Sequence, residues 1–564
     1  MPDAMGRAAA GAATLQDVPA AATPREAPPR RSRLARVGIA LVALAALAVL
    51  TAWFSVVSVH AFAPDSDGAT PVLQGQAMAS GNVILHGWLL PLDSFWSIEA
   101  PLYAVATAIA GVRRQLLVLV PAFTAAMVVL AAALLARQGR HKGAAAAGVV
   151  TVVALLVFPT HALASFYLRG AYHIGTVLLA LLAFLAMRRN RFGPALAVGT
   201  LLLAAGMLGD SLMVAYGIVP VLFGGLFAMG RRRSWRAGAP AAVGSLAAAA
   251  LAEAARGLLS ALGGFTVDPS HPVAHGSQLL QNAKDVVSFG LALAGARNGA
   301  FQSGGVPGPL QAARIVGAVL LAAGIVAALA RLVAGLREGQ VGERAGRVGG
   351  STWHRSEPEA AFLDDVLVTA CVGAAATFCV LTPSFDPQSA RYLVPSVIFA
   401  SVLAGRTVAR FVAATSAPGL RSLLVGVGSA ATACYAAGVG YNVSAAPPPS
   451  GIAALASYLE AHHLTRGVGA YWDASITTVV SDGQVAVRPV VLGPTGTIVR
   501  YPHQSASTWY KGVAFQFLVF DDANPWGGVD LATAAATWGR PARVDHVGSL
   551  EVVVWPHPLR VGSL

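Results

Sequence analysis

The sequence predicts an α-helical polytopic membrane protein with a small α/β domain on the outer face of the membrane. Three observations predict it. Of 564 residues 55% are apolar and only 12% charged, with a mean hydropathy of +0.63, whereas a soluble domain carries about 25% charged residues. Bilayer-length apolar runs recur between residues 36 and 441, and arginine clusters fall at alternate ends of them. Beyond residue 441 the pattern changes to alternating short helix and strand signals.

Residues 1–35 are rich in Ala, Pro and Arg without an apolar period, which predicts a disordered cytoplasmic tail ending in "RRSRLAR". Apolar runs follow near 37–60, 115–136, 143–158, 172–187, 193–209, 211–229, 238–258, 311–332, 363–382, 391–410 and 422–441. At roughly 20 residues per crossing they make about eleven spans. The pair 193–229 reads either as two spans or as a kinked or re-entrant hairpin around "LGDS". "AFA" at 61–63 has the form of a signal-peptidase site, but the run before it is longer than a signal-peptide core, so it reads as a retained span.

Arginine placement sets the orientation. With the tail inside, "RRSRLAR", "RQGRHK", "RRNR", "RRRSWR", the 333–362 loop and Arg406, Arg410 and Arg421 all fall on the cytoplasmic side, and together they hold most of the 39 basic residues. The long outer segments 61–114, 259–310 and 442–564 are comparatively poor in them. This is the positive-inside pattern, and it predicts a plasma-membrane protein with a cytoplasmic N-terminus and an extracytoplasmic C-terminal domain.

The net charge of +13 and isoelectric point near 10.2 come almost wholly from arginine, since Lys142, Lys284 and Lys511 are the only lysines. Spread over membrane flanks, this charge excludes a nucleic-acid partner and marks contact with membrane lipids. Cys371, Cys379 and Cys434 all lie in apolar runs; the first two are about 12 Å apart along a helix, too far for a disulfide. No Walker loop, dinucleotide fingerprint or H-E-x-x-H zinc motif occurs.

The C-terminal segment 442–564 opens with the linker "SAAPPPSG" and a helical "IAALASYLEAHHL". A strand "GVGAYW", a short helix "ASITTVV", strands "QVAVRPVVL" and "AFQFLVFDD", a helix "VDLATAAATWG" and a closing pair "ARVDHV" and "SLEVVVWP" follow. It has enough apolar residues for its own core. Trp472 reads as a core or interface aromatic.

The first outer loop is the most informative stretch. In "HAFAPDSDGATPVLQGQ" two aspartates, Asp65 and Asp67, stand where the chain leaves the first span. They are either a solvated or helix-capping pair or groups held for chemistry. Thr70-Pro71 predicts a helix start and Gly81-Asn82 its stop. "APLYAVATAIAG" is too short to cross and predicts a helix at the membrane surface. His86, Asp93 and Glu99 lie between them.

A first span followed at once by acidic residues, then a long outer loop with surface helices and the wording "GN..LHGW.LP.DSFW..E.PLYA", resembles the GT-C superfamily of membrane glycosyltransferases. The motif likeness covers the first 110 residues and the remaining spans follow by architecture. The resemblance implies transfer of a sugar from a polyprenyl-phosphate donor, on the outer face, to a glycan, lipid or protein acceptor of the envelope. It implies that Asp65 or Asp67 is the catalytic base or a metal-associated group, and it leaves open whether a divalent metal takes part. The chain lacks the Asp-Glu pair of protein O-mannosyltransferases, and "YWDAS" only faintly resembles the Trp-Trp-Asp motif of oligosaccharyltransferases. A phosphate leaving group needs a base for the acceptor proton and cations for the departing charge.

Other outward ends hold further candidates. "PTHALASFYLRGAYH" supplies Arg169 for a lipid phosphate, with His161, Tyr167 and His173 beside it, or else an ordinary interfacial loop. Asp210 in "GMLGDS" is either an intramembrane functional group or a helix cap. Glu253 and Arg256 sit at i, i+3 and read as internal charge compensation. "TPSFDPQSARYLVP" places Asp386, Arg391 and Tyr392 at the mouth of a late span; the Arg-Tyr pair resembles arrangements around donor phosphate in GT-C enzymes. Two other classes stay open: a transporter or flippase, which needs a polar path across the membrane, and a non-catalytic envelope scaffold.

Overall fold

The computed structural model describes residues 33–562 apart from 138–141, 171, 269–272, 300, 302–304, 342–357 and 381–386. The predicted tail therefore lies outside the described residues except for its last three, which already belong to the first helix, and so does Asp386. In chain order the elements are α1 (Arg33–Ala61), α2 (Ser66–Ala79), β1 (Trp88–Leu90), α3 (Ala100–Ala110), α4 (Leu116–Ala136), α5 (Lys142–Val157) and α6 (His161–Tyr167). Then come α7 (Ile174–Met187), α8 (Pro194–Gly209), a π-turn at Val214–Ile218 running into α9 (Val219–Arg232), α10 (Ala239–Ala261), β2 (Thr266–Val267) and α11 (Ser277–Leu293). The last long helices are α12 (Gly308–Val341), α13 (Pro358–Val380), α14 (Val394–Ala414) and α15 (Pro418–Val443). The α/β region holds α16 (Gly451–Ala461), β3 (Arg466–Ala470), α17 (Tyr471–Val480), β4 (Ala486–Leu492), β5 (Ile498–Arg500), β6 (Ser505–Ala506), β7 (Phe515–Asp521), α18 (Leu531–Trp538), β8 (Arg543–Val547) and β9 (Leu550–Leu559).

Among the described residues eight helices are long and apolar enough to cross a bilayer, and α5 with α6 forms a ninth such run bent by 82°. The segments predicted at 172–187 and 193–209 are helices of 14 and 16 residues, shorter than a straight crossing needs. The chain is a multi-pass membrane protein. Within residues 47–564 the long helices pack through small residues. A Cβ on Gly405 of α14 would lie 2.6 Å from the carbonyl oxygen of Gly148 on α5, so only glycine permits this close approach.

One end of these helices holds a buried charge cluster. Asp364 on α13 meets Arg406 at 2.6 Å, Arg410 at 2.5 Å and Arg331 at 3.2 Å, while the next residue, Asp365, pairs with Arg231. Arg406 also donates to the carbonyls of Leu135 and Ala360. Its guanidinium is thereby satisfied although the side chain is 1% exposed. The Glu253–Arg256 pair forms at 2.6 Å on a partly exposed helix face.

The first outer loop is ordered by caps and close packing. α2 begins four residues before the predicted Thr70, because the Asp65 carboxylate caps it by accepting the Gly68 N–H at 3.0 Å. α3 lies across α2 where Gly75 has no side chain; a Cβ there would stand 2.5 Å from the Tyr103 backbone. A three-stranded sheet in the order β2-β1-β6 joins this loop to the 259–310 loop and to the C-terminal region. Trp88 pairs with Ala506 and Leu90 with Val267. The 259–310 segment also contains α11, which its sequence pattern does not reveal.

The C-terminal sheet has the order β5-β4-β3-β7-β9-β8, with β4, β3 and β7 parallel and the rest antiparallel. Alternation along the strands builds two cores. Val487, Phe517 and Val519 face Leu455, Leu459 and Ala474 of α16 and α17, whereas Val468, Val490, Leu518 and Phe520 face Ala534 of α18. β3 ends at Ala470, so Tyr471 and Trp472, expected to finish the strand, instead open α17. Ile476 and Val479 of α17 share a core with Ala69, Val72 and Leu73 of α2, which fixes the α/β region against the first outer loop.

Candidate active site

Asp65, Asp67, Arg169 and Arg391, far apart in the sequence, meet where α2, the α6–α7 turn, the 3-10 turn Pro387–Leu393 before α14 and the start of α17 converge. Asp65 Oδ2 lies 3.3 Å from Arg169 Nη1, and Arg169 donates to Tyr172 Oη and Gln388 Oε1, both at 3.2 Å. Its guanidinium sits 4.7 Å over the Phe62 ring and 5.3 Å from that of Tyr172. Arg391 donates to Tyr392 Oη at 3.1 Å and rests 5.3 Å from the Tyr172 ring, so the two arginines share one aromatic support. Among the described residues neither planar donor is taken up by a bidentate carboxylate, a state in which both can take a phosphate.

Asp67 stands two residues beyond the capping Asp65, in the first turn of α2, and accepts the Tyr471 hydroxyl at 2.5 Å. Burial pushes its carboxyl above the usual range, and the neighbouring Asp65 pushes it the same way; the Tyr471 hydrogen bond and Arg391 oppose them. The Tyr471 hydroxyl, itself buried against this carboxylate, is pushed well up. Tyr471 comes from the far end of the chain, and no local pattern marks it as part of the site.

A second acidic group lies beside the arginines. His173 Nδ1 is 2.8 Å from Asp210 Oδ2, and His173 Nε2 is 4.0 Å from Asp93 Oδ2. Asp210 also accepts from Thr176 Oγ1 at 2.5 Å and from the Leu212 N–H at 2.9 Å, so it caps the turn after α8 as well as holding the imidazole. The His173 ring packs 5.2 Å from Tyr392 and 5.5 Å from Phe95. His173 and Phe95 both adopt positive φ, 65° and 53°, strained for residues with a Cβ and maintained here by the surrounding packing.

Glu99 lies deeper. Its Oε1 accepts the Gly175 N–H at 2.9 Å, and a Cβ on residue 175 would stand 2.5 Å from that oxygen, so glycine is required for the contact. Glu99 Oε2, Tyr103 Oη and Arg169 Nε are buried without a hydrogen-bond partner among the described residues, and all three residues line one small cavity with Thr124 and Tyr167. Burial raises the Glu99 carboxyl to about 7 against the Gly175 hydrogen bond.

The structure thus brings together Asp65, Asp67, Asp93, Arg169, His173, Asp210, Arg391 and Tyr392, with Glu99 behind them. It does not bring His86 there: that side chain is exposed and its Nδ1 lies 2.6 Å from the Gly263 carbonyl, tying two outer loops together. Trp472 is 42% exposed, not a core residue. Tyr172 and Gln388 complete the arginine support and carry no sequence signal of their own. Among the described residues no group of three His, Cys, Asp or Glu side chains is arranged to hold a metal ion.

No protein-family model and no curated protein matches the chain. Solved structures do. ArnT from Cupriavidus metallidurans in the apo state superposes with a TM-score of 0.53 at 13% identity, over 92% of this chain and 98% of that one. The same protein bound to undecaprenyl phosphate gives 0.50 at 15% identity, over 92% and 98%. The Archaeoglobus fulgidus oligosaccharyltransferase in the apo form gives 0.42 at 12% identity, over 85% and 69%. At such identities the likeness to ArnT speaks to fold. The chain has the fold of ArnT.

Proposed function

We propose that the protein transfers a sugar from a polyprenyl-phosphate donor to an acceptor of the cell envelope, on the face of the membrane that carries the α/β region. The observation that carries this reading is the apposition of Asp65 and Asp67 to Arg169 and Arg391, with both guanidinium groups supported by tyrosines. The ArnT complex with undecaprenyl phosphate supports a polyprenyl donor on this fold. In the reaction the acceptor oxygen attacks the anomeric carbon as the bond from that carbon to the phosphate oxygen breaks. The acceptor proton passes to Asp67, whose raised affinity for protons suits a general base. Polyprenyl phosphate leaves with its charge stabilised by Arg169 and Arg391. Asp65 holds Arg169 in place, and the His173–Asp210 pair borders the sugar.

The same reading assigns the N-terminus to the cytoplasm, residues 36–441 to the membrane domain and 442–564 to an extracytoplasmic domain.

The test is mass spectrometry of envelope glycans and polyprenyl-phosphate sugars from cells lacking the protein. These are complemented with wild type or with Asp67→Asn at equal protein levels. A glycan lost together with donor accumulation, restored by wild type and not by Asp67→Asn, is expected. An unchanged glycan and donor profile in the deletion strain would sink the transferase reading.

A further inference from the structure

We infer that the aromatic wall formed by Tyr471, Trp472, Tyr501 and Trp526 is the acceptor subsite, and that the acceptor it receives is a carbohydrate. The inference rests on the transferase reading above and names its acceptor class.

Topology places the wall. β3 lies between two parallel neighbours; its chain passes through α17 to β4 on one side, while β7 comes later on the other. In such sheets the connections diverge beyond the carboxyl ends of the central strands and leave a crevice. Tyr471, Trp472 and Asp473 directly follow the last residue of β3, and Asp521 is the last residue of β7.

The carboxyl end of β3 lies beside the candidate base. The Tyr471 hydroxyl bonds Asp67 at 2.5 Å, and its ring lies 5.0 Å from Trp472, 5.2 Å from Tyr501 and 5.5 Å from Trp526. Tyr501 and Trp526 meet edge to face at 5.1 Å, and His503 extends the row 5.4 Å from Tyr501. One continuous aromatic surface therefore runs outward from Asp67. Tyr471 at its inner end is buried at 4% exposure, but the rest is not core: Trp472 is 42% exposed, and Tyr501, Trp526 and His503 are half-buried. Trp526 is held up by Gly527 and Gly528, whose φ values of 65° and 69° make a turn that residues with a Cβ rarely adopt.

The chemistry selects a sugar. A pyranose or furanose ring has an apolar face of polarised C–H groups, which fits the negative face of an aromatic ring, and a rim of hydroxyls that need hydrogen-bond partners. The rim has a partner in Asp473. This side chain is buried, makes no side-chain hydrogen bond among the described residues and interacts electrostatically with Asp521. Burial, with Asp521 adding to it, raises its carboxyl to about 7, so near neutrality it can either donate to or accept from a hydroxyl. Asp473, Asp521 and Asp522 also make the surroundings acidic, which disfavours an anionic lipid surface or a phosphorylated acceptor as the occupant.

The test uses the full chain in lipid nanodiscs. Methyl glycosides and disaccharides of glucose, galactose, mannose and arabinose are titrated by saturation-transfer NMR, and undecaprenyl phosphate binding is measured on the same samples. Wild type is expected to bind at least one glycoside, and Trp526→Ala and Trp472→Ala to weaken it by about tenfold. Trp526→Phe, which keeps the ring face, should stay close to wild type and excludes misfolding as the cause. Undecaprenyl phosphate binding should be equal in all four proteins. Absence of glycoside binding by wild type, or equal binding by the alanine variants, overturns the inference. Loss of undecaprenyl phosphate binding by wild type would instead overturn the donor reading.

Discussion

His173 Nδ1 stands 2.8 Å from Asp210 Oδ2, and neither side chain is more than 2% exposed. With Thr176 and the Leu212 N–H also directed at Asp210, the carboxylate is fully engaged and the imidazole is fixed in orientation, its Nε2 turned toward Asp93. An aspartate that holds the second nitrogen of a histidine fixes its tautomer.

Asp210→Asn should therefore keep the cap through its amide oxygen but present the wrong group to one of its partners. Transfer is expected to slow by about a hundredfold, the cost of misplacing a group that borders the reacting sugar. Polyprenyl phosphate binding should be unchanged, since Arg169 and Arg391 are untouched. Asp210→Ala should also lower thermal stability by about 3–5 kcal/mol, because it leaves buried partners unpaired. Transfer kinetics beside a donor-binding isotherm check both.

The Tyr471 hydroxyl stabilises the ionised form of Asp67, and so works against the burial that raises its pKa. Tyr471→Phe removes that hydrogen bond, so the carboxyl binds its proton more tightly. If Asp67 must be ionised to act as base, the acidic limb of the pH–rate profile moves upward. A hydrogen bond to a charged group contributes about 1.5–3 kcal/mol, which corresponds to one to two pH units. A limb that moves downward, or stays in place, contradicts the assignment of Asp67 as base.

The sequence is most legible where one force dominates. Apolar runs of bilayer length predict the long helices because lipid permits little else, and the near-continuous apolar run in "AFQFLVFDD" predicts β7 because both faces of the sheet are buried. It is less legible where a boundary depends on a contact. Asp65 caps α2 through the Gly68 N–H, whereas Thr70-Pro71 carries the stronger local start signal. "GVGAYW" has strand composition to its end, yet Tyr471 and Trp472 turn into α17. Site residues follow the same division. Asp65, Asp67, Arg169 and Arg391 stand out because charge is rare at the outer ends of the spans. Tyr471 does not, because 404 residues separate it from Asp67. His86 is misjudged because residue type says nothing of direction: its ring turns to the Gly263 carbonyl.

Asp364 is the other residue that composition hides, since it falls inside a run counted as apolar. It faces Arg331, Arg406 and Arg410 at once. Asp364→Asn leaves these cations without their shared counter-charge, and a loss of about 3–5 kcal/mol is expected. A second change, Arg406→Met, should restore part of that loss by removing the most deeply buried of the three cations. Thermal unfolding of the single and double variants in the same detergent measures the coupling. Additive losses would mean that Asp364 acts through packing alone.

Glu99 gives a pH dependence of stability whose sign follows from its surroundings. Its carboxyl titrates near 7 in the folded protein, raised by burial from an ordinary value near 4.5. Between those two values the folded state holds a proton that the unfolded state has released. Stability from this group is therefore complete below about pH 4.5 and is lost as pH rises through about 7, by an amount on the order of 3 kcal/mol. Glu99→Gln keeps an oxygen for the Gly175 N–H and cannot ionise. The wild-type protein should lose thermal stability between pH 5 and 8 more steeply than the variant, by several degrees. Equal slopes would mean that Glu99 is ionised in the folded state throughout, with a cation or ordered water reaching its unpartnered Oε2 in the cavity beside Tyr103 and Arg169.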